Sequence, residues 1–333
     1  MATSREYRLK SRPAGMPSAD NFELATVNLP EPGPGEVQVR NLWLSVDPYM
    51  RGRMNDEPSY LPPWQIGKVL DGGALGEVTV SNADGLRPGD LVNSFYGWRE
   101  GFTAPAATVQ KLDPKGLPPQ TFLSAAGGTG LTAYAGLLEV ARLKDGDVVF
   151  VSGAAGAVGS MACQIAKAKG HTVIGSAGGP EKVAFLKEIG VDHAVDYKAE
   201  PDLTAAVRRA APDGIDVYFD NVGGDHLDAA LAAARTGARF AICGMISAYN
   251  EAQPAAGPRN LRMMMGKAIE MKGFLVTHYL GLQPAFLADF IRWHAEGKLR
   301  WRETVVQGIE RTPEAFLGLF RGDNTGKMLV KLN

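Results

Sequence analysis

The chain has 333 residues, 45% of them apolar, and a formal net charge of −1. That size supports one large or two medium domains with ordinary cores, and the near-balanced charge argues against a nucleic-acid or anionic-membrane partner. Only two cysteines occur, Cys163 and Cys243, which excludes a disulfide framework and fits a reducing cytoplasm.

The first ten residues are charged and lack the apolar segment of a signal peptide. Residues 1–122 carry short β-type runs at 36–40, 76–80 and 90–92, separated by turn signals such as Pro32-Gly33-Pro34-Gly35 and Arg87-Pro88-Gly89-Asp90. They predict an irregular, mostly antiparallel β domain. From 123 the period changes. Residues 132–141 read as a helix. Strands at 148–152, 171–176, 194–197, 216–219, 238–243 and 271–276 then alternate with helices, one of them over 180–189 with proline in its first turn. Such alternation predicts an α/β domain over 123–304, built on a doubly wound parallel sheet. The tail, 305–333, returns to β character around a helix that opens at Thr312, and is expected to complete the first domain. The uncharged stretches 148–166 and 116–138 are a strand–turn–helix and a segment broken by Pro118-Pro119, so no membrane span is expected.

The segment 148–160, VVFVSGAAGAVGS, runs from an apolar stretch into a glycine-rich turn that opens onto a helical pattern. Backbone N–H groups in such a turn approach a pyrophosphate closely, and the helix N-terminus favours its charge. The frame is Ala154-x-Gly156-x-x-Gly159, with alanine in the first glycine position, so the reading depends on its strand–helix–strand context. Ala155, Gly156, Ala157 and Val158 become candidate cofactor contacts. An NAD site normally ends its second strand with Asp or Glu for the ribose 2′-OH. Here the strand ends Ser176-Ala177-Gly178-Gly179, and Lys182 follows. Lys182 either pairs with a 2′-phosphate or is a solvated helix lysine; with the acid missing, NADP(H) is favoured.

The five histidines are scattered and no Cys-x-x-Cys occurs, so no metal site is expected. There is no Gly-x-Ser-x-Gly elbow. Without a metal, the oxyanion that develops on a hydride acceptor needs other donors. Tyr49, in a loop-like VDPYMR stretch, and Tyr249, just after a predicted parallel strand, are candidates; each is equally readable as a half-buried tyrosine with a satisfied hydroxyl. Asn221 also follows a strand, where it either meets the cofactor or forms a turn. Tyr60, Trp64, Tyr96 and Trp98 either line an apolar pocket or build core.

Together the motifs resemble the zinc-independent medium-chain dehydrogenases/reductases. More narrowly, they resemble the branch of prostaglandin reductase/leukotriene 12-hydroxydehydrogenase, 2-alkenal reductase and NADPH-dependent curcumin reductase. The resemblance rests on VDPYMRGRM (46–54), GLTAYAGLLEV (130–140), SGAAGAVGSMACQIAKAKG (152–170), EKVAFLKEIG (181–190), FDNVGG (219–224), ICGMISAYN (242–250) and GDNTGKMLVK (322–331), nearly the full chain. It implies a GroES-like, mostly β catalytic domain with a Rossmann domain, NADPH as cofactor and a homodimer. It also implies Lys182 at the 2′-phosphate, Tyr197 by the adenosine end, and Asn221 and Asn324 on the cofactor. Cys243, Gly244, Met245, Ile246 and Ser247, with Phe274, Leu275 and Val276, would line the nicotinamide side, and Tyr249 would be catalytic. The chain departs from relatives at Phe102, where tyrosine is frequent, and at Ala126-Gly127-Gly128, where methionine is common, so substrate preference does not carry over. The expected activity is metal-free, NADPH-dependent reduction of the C=C bond of α,β-unsaturated ketones and aldehydes, with hydride delivered to the β-carbon. A quinone reductase on the same fold and a non-catalytic nucleotide-binding protein are the alternatives.

Overall fold

Proline and glycine punctuation cuts the first third of the chain into short strands: β1 (Thr3–Leu9), β2 (Phe22–Asn28), β3 (Glu36–Ser45), β4 (Ala74–Ser81), β5 (Leu91–Ser94), β6 (Gly101–Pro105) and β7 (Gln110–Lys111), with a short helix α1 (Met50–Arg53). The alternating part follows: α2 (Gly128–Ala135), β8 (Val148–Val151), α3 (Ala157–Ala168), β9 (Thr172–Ala177), α4 (Pro180–Glu188), β10 (His193–Asp196), α5 (Leu203–Ala210), β11 (Ile215–Asp220), α6 (Gly224–Ala233), β12 (Ala234–Ile242), α7 (Met263–Gly266), β13 (Glu270–Gly273) and α8 (Gln283–Ala295). The tail supplies β14 (Glu303–Gln307), α9 (Thr312–Arg321) and β15 (Lys327–Lys331). The computed structural model describes residues 2–253 and 257–332.

The chain divides into two units, one of Met1–Leu123, Glu303–Asn324 and Met328–Asn333, the other of Ser124–Arg302 and Thr325–Lys327. In the first, among the described residues, β1 pairs with β2, and a sheet runs β14-β15-β3-β4-β5-β7 with β6 added on β3. Its main core gathers Leu44, Met50, Trp64, Trp98 and Phe316. In the second, a parallel sheet runs β10-β9-β8-β11-β12-β13. Numbered within that unit, the order is 3-2-1-4-5-6, the doubly wound arrangement whose direction reverses between its first and fourth strands, here β8 and β11. Phe150 of β8 stacks on Tyr218 of β11, and Phe240 of β12 meets Tyr218 edge-on. Strands buried on both faces explain the continuous apolar runs in the sequence.

Three elements depart from expectation for local reasons. The helix expected over 132–141 is α2 followed by a π-helical turn, Gly136–Val140. A Cβ at Gly136 would stand 2.5 Å from the Phe219 ring and 2.7 Å from the Phe274 ring, so the close approach requires glycine. The strand expected to start at 238 starts at Ala234, because α6 hands over to β12 without a loop. The strand expected to reach 276 stops at Gly273, which releases Phe274, Leu275 and Val276 into the following turn. In the tail, Thr325–Lys327 belong to the second unit: the Gly326 N–H donates to Ala155 O at 2.7 Å and the Lys327 N–H to Arg302 O at 3.0 Å. Among the described residues, no helix is long and apolar enough to cross a membrane.

Helix α3 abuts its own entry turn. A Cβ at Gly159 would lie inside van der Waals contact with Gly153 O and 2.9 Å from Ala154 Cα, both backbone atoms with little room to yield. Gly159→Ala is therefore expected to destabilise the protein by roughly 2–3 kcal/mol in urea unfolding. Gly128→Ala, where a Cβ meets nothing within 4 Å, serves as control and should leave stability unchanged or slightly raised.

Candidate active site

The strand ends at the carboxyl edge of the parallel sheet carry nearly all the expected cofactor residues. Gly153, with φ +56°, turns the chain out of β8, and Gly156 caps α3 with extended backbone (φ −79°, ψ 177°). As glycine it offers no side-chain cap, so the first-turn N–H groups of a twelve-residue helix face outward at Ala157 and Val158. A Cβ at Gly156 would meet only Gly153 O, at 3.2 Å, leaving an open cradle beside a positive helix end. This arrangement fits a pyrophosphate.

The next strand end carries the residues expected on the adenosine side. Gly179, with φ +96°, caps α4, and Lys182 lies half-buried in its first turn. No acid ends β9; Ser176 is buried there with its hydroxyl unpartnered. Asp196, ending β10, accepts from the Gly179 N–H at 2.9 Å and the Lys198 N–H at 3.1 Å, which joins the β9–α4 and β10–α5 turns. A Cβ at Gly178 would meet both Lys198 Cε and the Tyr197 hydroxyl at 2.9 Å, so both side chains lie against that backbone. Lys198 is a second cation at this end that the sequence reading passed over; its only signal was its place two residues beyond a strand. Tyr197 in turn packs edge-on over His226 of α6, ring centroids 4.9 Å apart. His226 is buried with Nε2 unpartnered, and burial pushes its pKa down to about 4.

Between β8 and β11 the structure builds a dense polar knot. The Asn221 Nδ2 donates to Ser152 O at 2.7 Å, and the Asn221 N–H to Ser152 Oγ at 2.9 Å. Asp220 Oδ1 accepts from Ser152 Oγ at 2.9 Å, Tyr218 OH at 2.7 Å, Val222 N–H at 2.9 Å and Gly223 N–H at 2.8 Å. Asn221 thus builds the turn that ties the end of β11 to the end of β8. Cys243 and Gly244 donate their N–H groups to Asp220 O at 2.9 and 3.0 Å. Met245, Ile246 and Ser247 continue that loop to Tyr249, whose hydroxyl accepts from the Met245 N–H at 3.2 Å and keeps its own proton for donation. Burial raises the Tyr249 pKa, with Cys243 and Asp220 adding to the rise and the Met245 N–H opposing it. Burial pushes the Cys243 thiol up to about 12, so it is no thiolate nucleophile at neutral pH. Phe274 meets Phe219 edge-on, ring centroids 6.2 Å apart, and its N–H donates to Ile242 O at 3.4 Å.

In the first unit, Tyr49 precedes α1 and packs against the Trp98-containing core. Burial, and then the Asp47 charge, lift its pKa well above the usual tyrosine value. Trp98 is fully buried core, as is most of Trp64, which also edges a groove with Arg53, Pro62 and Phe95. Tyr60 is exposed and Tyr96 stacks on Phe102 at 4.4 Å. Phe102 is itself core, packed among Val37, Val39, Val78 and Val92, so its departure from the relatives' tyrosine touches packing. Asn324 stands in the first unit, one residue before the Thr325–Lys327 segment of the second.

Residues 5–112 match the family model described as the N-terminal domain of oxidoreductase, and residues 157–293 the model described as zinc-binding dehydrogenase. Among the described residues, no three His, Cys, Asp or Glu side chains gather as a metal site. The chain belongs to the medium-chain dehydrogenase/reductase family. It is 44% identical to the putative NADP-dependent oxidoreductase YfmJ of Bacillus subtilis (strain 168), over 100% of this chain and 98% of that protein. It is 42% identical to the NADP(+)-dependent 2-alkenal reductase of Nicotiana tabacum, over 99% and 98%. The structure of CurA from Vibrio vulnificus in complex with NADPH superposes with a TM-score of 0.94 at 41% identity, over 99% of each chain. Within the family, these relatives and others named prostaglandin reductase 1 and curcumin reductase define its branch.

His226, buried against Tyr197, makes the second unit acid-sensitive. Its pKa falls from the ordinary 6.5 in the unfolded chain to about 4 when folded, so between these values the unfolded state binds the extra proton. The contribution is full above pH 6.5 and is lost as pH falls towards 4, about 3 kcal/mol in all. His226→Phe should flatten that part of the stability–pH curve in urea titrations between pH 4 and 7, whereas an unchanged slope would mean that His226 is charged in the folded protein.

Proposed function

We propose that this chain is an NADPH-dependent reductase of the C=C bond of α,β-unsaturated ketones and aldehydes. The observation that carries this reading lies within the second unit. There a dinucleotide cradle with Lys182 beside an acid-free strand end shares the sheet's carboxyl edge with a tyrosine held in its proton-bearing form. The named activities of relatives that align over the whole chain support it.

NADPH, when bound, supplies the hydride that adds to the substrate's β-carbon. Ala155, Gly156, Ala157 and Val158 hold the pyrophosphate with backbone N–H groups and the α3 dipole. Lys182 pairs with the 2′-phosphate, with Lys198 as a second cation at that end. Tyr197 covers the adenosine, and Asn221 and Asn324 orient the cofactor. Residues Cys243 to Ser247, with Phe274, Leu275 and Val276, line the nicotinamide side. The Tyr249 hydroxyl donates to the oxygen on which enolate charge develops, and its proton, or one from water, reaches the α-carbon. Tyr49 is a further hydroxyl donor. The reaction needs no metal in this scheme. The first unit, expected over 1–122 with 305–333, is the catalytic domain, and the second, expected over 123–304 and joined by Thr325–Lys327, the cofactor domain. The cytoplasm and a homodimer are the proposed setting and assembly; light scattering at a mass other than twice the chain's would remove the homodimer.

Purified protein should oxidise NADPH with a panel of enones and enals, and faster than with juglone-type quinones; the reverse order would favour a quinone reductase, and no turnover of any acceptor a nucleotide-binding protein. Tyr249→Phe should lower kcat roughly 100-fold. Wild-type kcat in that variant would remove Tyr249 from the mechanism. Lys182→Ala should raise KM for NADPH about tenfold while leaving KM for NADH unchanged; equal change for both would place the lysine elsewhere.

A further inference from the structure

Asp220 ends β11 with a wholly buried side chain. Four donors converge on its Oδ1, from Ser152, Tyr218, Val222 and Gly223, while Oδ2 is buried without a hydrogen-bond partner. A buried carboxylate with a surplus of donors on one oxygen and none on the other calls for an explanation. Its surroundings supply one. Two of the donors belong to the turn that follows, whose Gly223 and Gly224 take φ of +73° and +52°. That turn carries the next loop residue by residue. Asp220 O takes the Cys243 and Gly244 N–H groups, Asn221 O takes Ile246 N–H at 3.3 Å, and Val222 O takes Ser247 N–H at 3.1 Å. A Cβ at Gly223 would stand 3.0 Å from Met245 Cβ, so turn and loop also pack directly. Met245 is the residue whose N–H donates to the Tyr249 hydroxyl.

We propose that Asp220 is the positioning residue for Tyr249: its carboxylate shapes the 221–224 turn, the turn fixes the 243–249 loop, and the loop sets where the phenol stands. The inference rests on Tyr249 being the proton donor. The charge acts in the same direction as the geometry: of the titratable groups bearing on the phenol, Asp220 and Cys243, the Asp220 carboxylate favours its protonated form, and the Cys243 thiol keeps its own proton. At saturating NADPH, where the cofactor contacts of Asn221 and the 243–247 loop no longer limit the rate, Asp220 reaches kcat through Tyr249, and this distinguishes positioning from general support of the fold.

Asp220→Asn is nearly isosteric, keeps an acceptor oxygen for the four donors and sets its amide where Oδ2 has no partner. Its kcat should fall about tenfold, and adding it to Tyr249→Phe should cost nothing further, because residues acting as one unit are non-additive. The alkaline limb of kcat should move to lower pH. The amides of Cys243, Gly244, Ile246 and Ser247 should exchange hydrogen faster while those of β8 and β11 keep their protection. A tenfold loss repeated in full on Tyr249→Phe overturns the inference and leaves Tyr249 its role; so do unchanged kcat and unchanged exchange in Asp220→Asn. Tyr249→Phe at the wild-type rate instead overturns the role of Tyr249 and the inference with it. Should Asp220→Asn fail to fold, Tyr218→Phe removes one donor from the carboxylate within an intact aromatic stack. It should lower kcat about threefold in the wild type and not at all on Tyr249→Phe; a loss that persists on Tyr249→Phe overturns the inference.

Discussion

Backbone crowding at the first strand–helix turn governs this molecule. Helix α3 lies so close to β8 that position 159 has no room for a Cβ beside Gly153 O and Ala154 Cα. That closeness aims the helix N-terminus over the carboxyl edge of the sheet and leaves Gly156 as a cap without a side chain. The same three glycines that let the helix pack also open the backbone to a phosphate. Stability and binding therefore depend on one steric constraint. The alanine at 154, in place of the usual first glycine, is compatible with it, since the positive φ falls on Gly153 one residue earlier.

From that constraint the electrostatics of the site follow. Once β8 and β11 lie side by side, their two ends bring Ser152, Asp220 and Asn221 within hydrogen-bond reach. Burial then acts in one direction on every acidic group nearby, raising the pKa of Tyr249, Cys243 and Asp220 alike. Only Asp220 is surrounded by enough donors to oppose that rise strongly. The outcome is a phenol that keeps its proton beside a thiol that keeps its own, which suits proton donation and disfavours covalent catalysis.

Much of this was legible in the amino-acid sequence, and the illegible parts share a cause. The parallel sheet could be read because strands buried on both faces spell continuous apolar runs, and the NADP preference because it depends on which residue follows one strand. The start of β12 could not, because Arg235, Thr236 and Gly237 at its exposed beginning carry no apolar period. The buried pairing of Arg239 with Asp147 gave no signal, since it joins residues far apart in the chain. His226 of α6 beneath Tyr197, and the Ser152 hydroxyl that reaches Asp220 from the end of β8, are likewise contacts between residues distant in sequence, fixed by three-dimensional topology. For Tyr60, Trp64, Tyr96 and Trp98 the sequence left pocket and core both open; packing puts Trp98 and most of Trp64 in the core and leaves Tyr60 in solvent.

The central claim is where the hydride goes. With NADPH carrying deuterium at the transferable C4 position and an α,β-unsaturated ketone as acceptor, the product can be examined by proton and carbon NMR. The account predicts one deuterium at the former β-carbon, a solvent-derived hydrogen at the α-carbon and an intact carbonyl. Deuterium on the carbonyl carbon, giving an unsaturated alcohol, would contradict it.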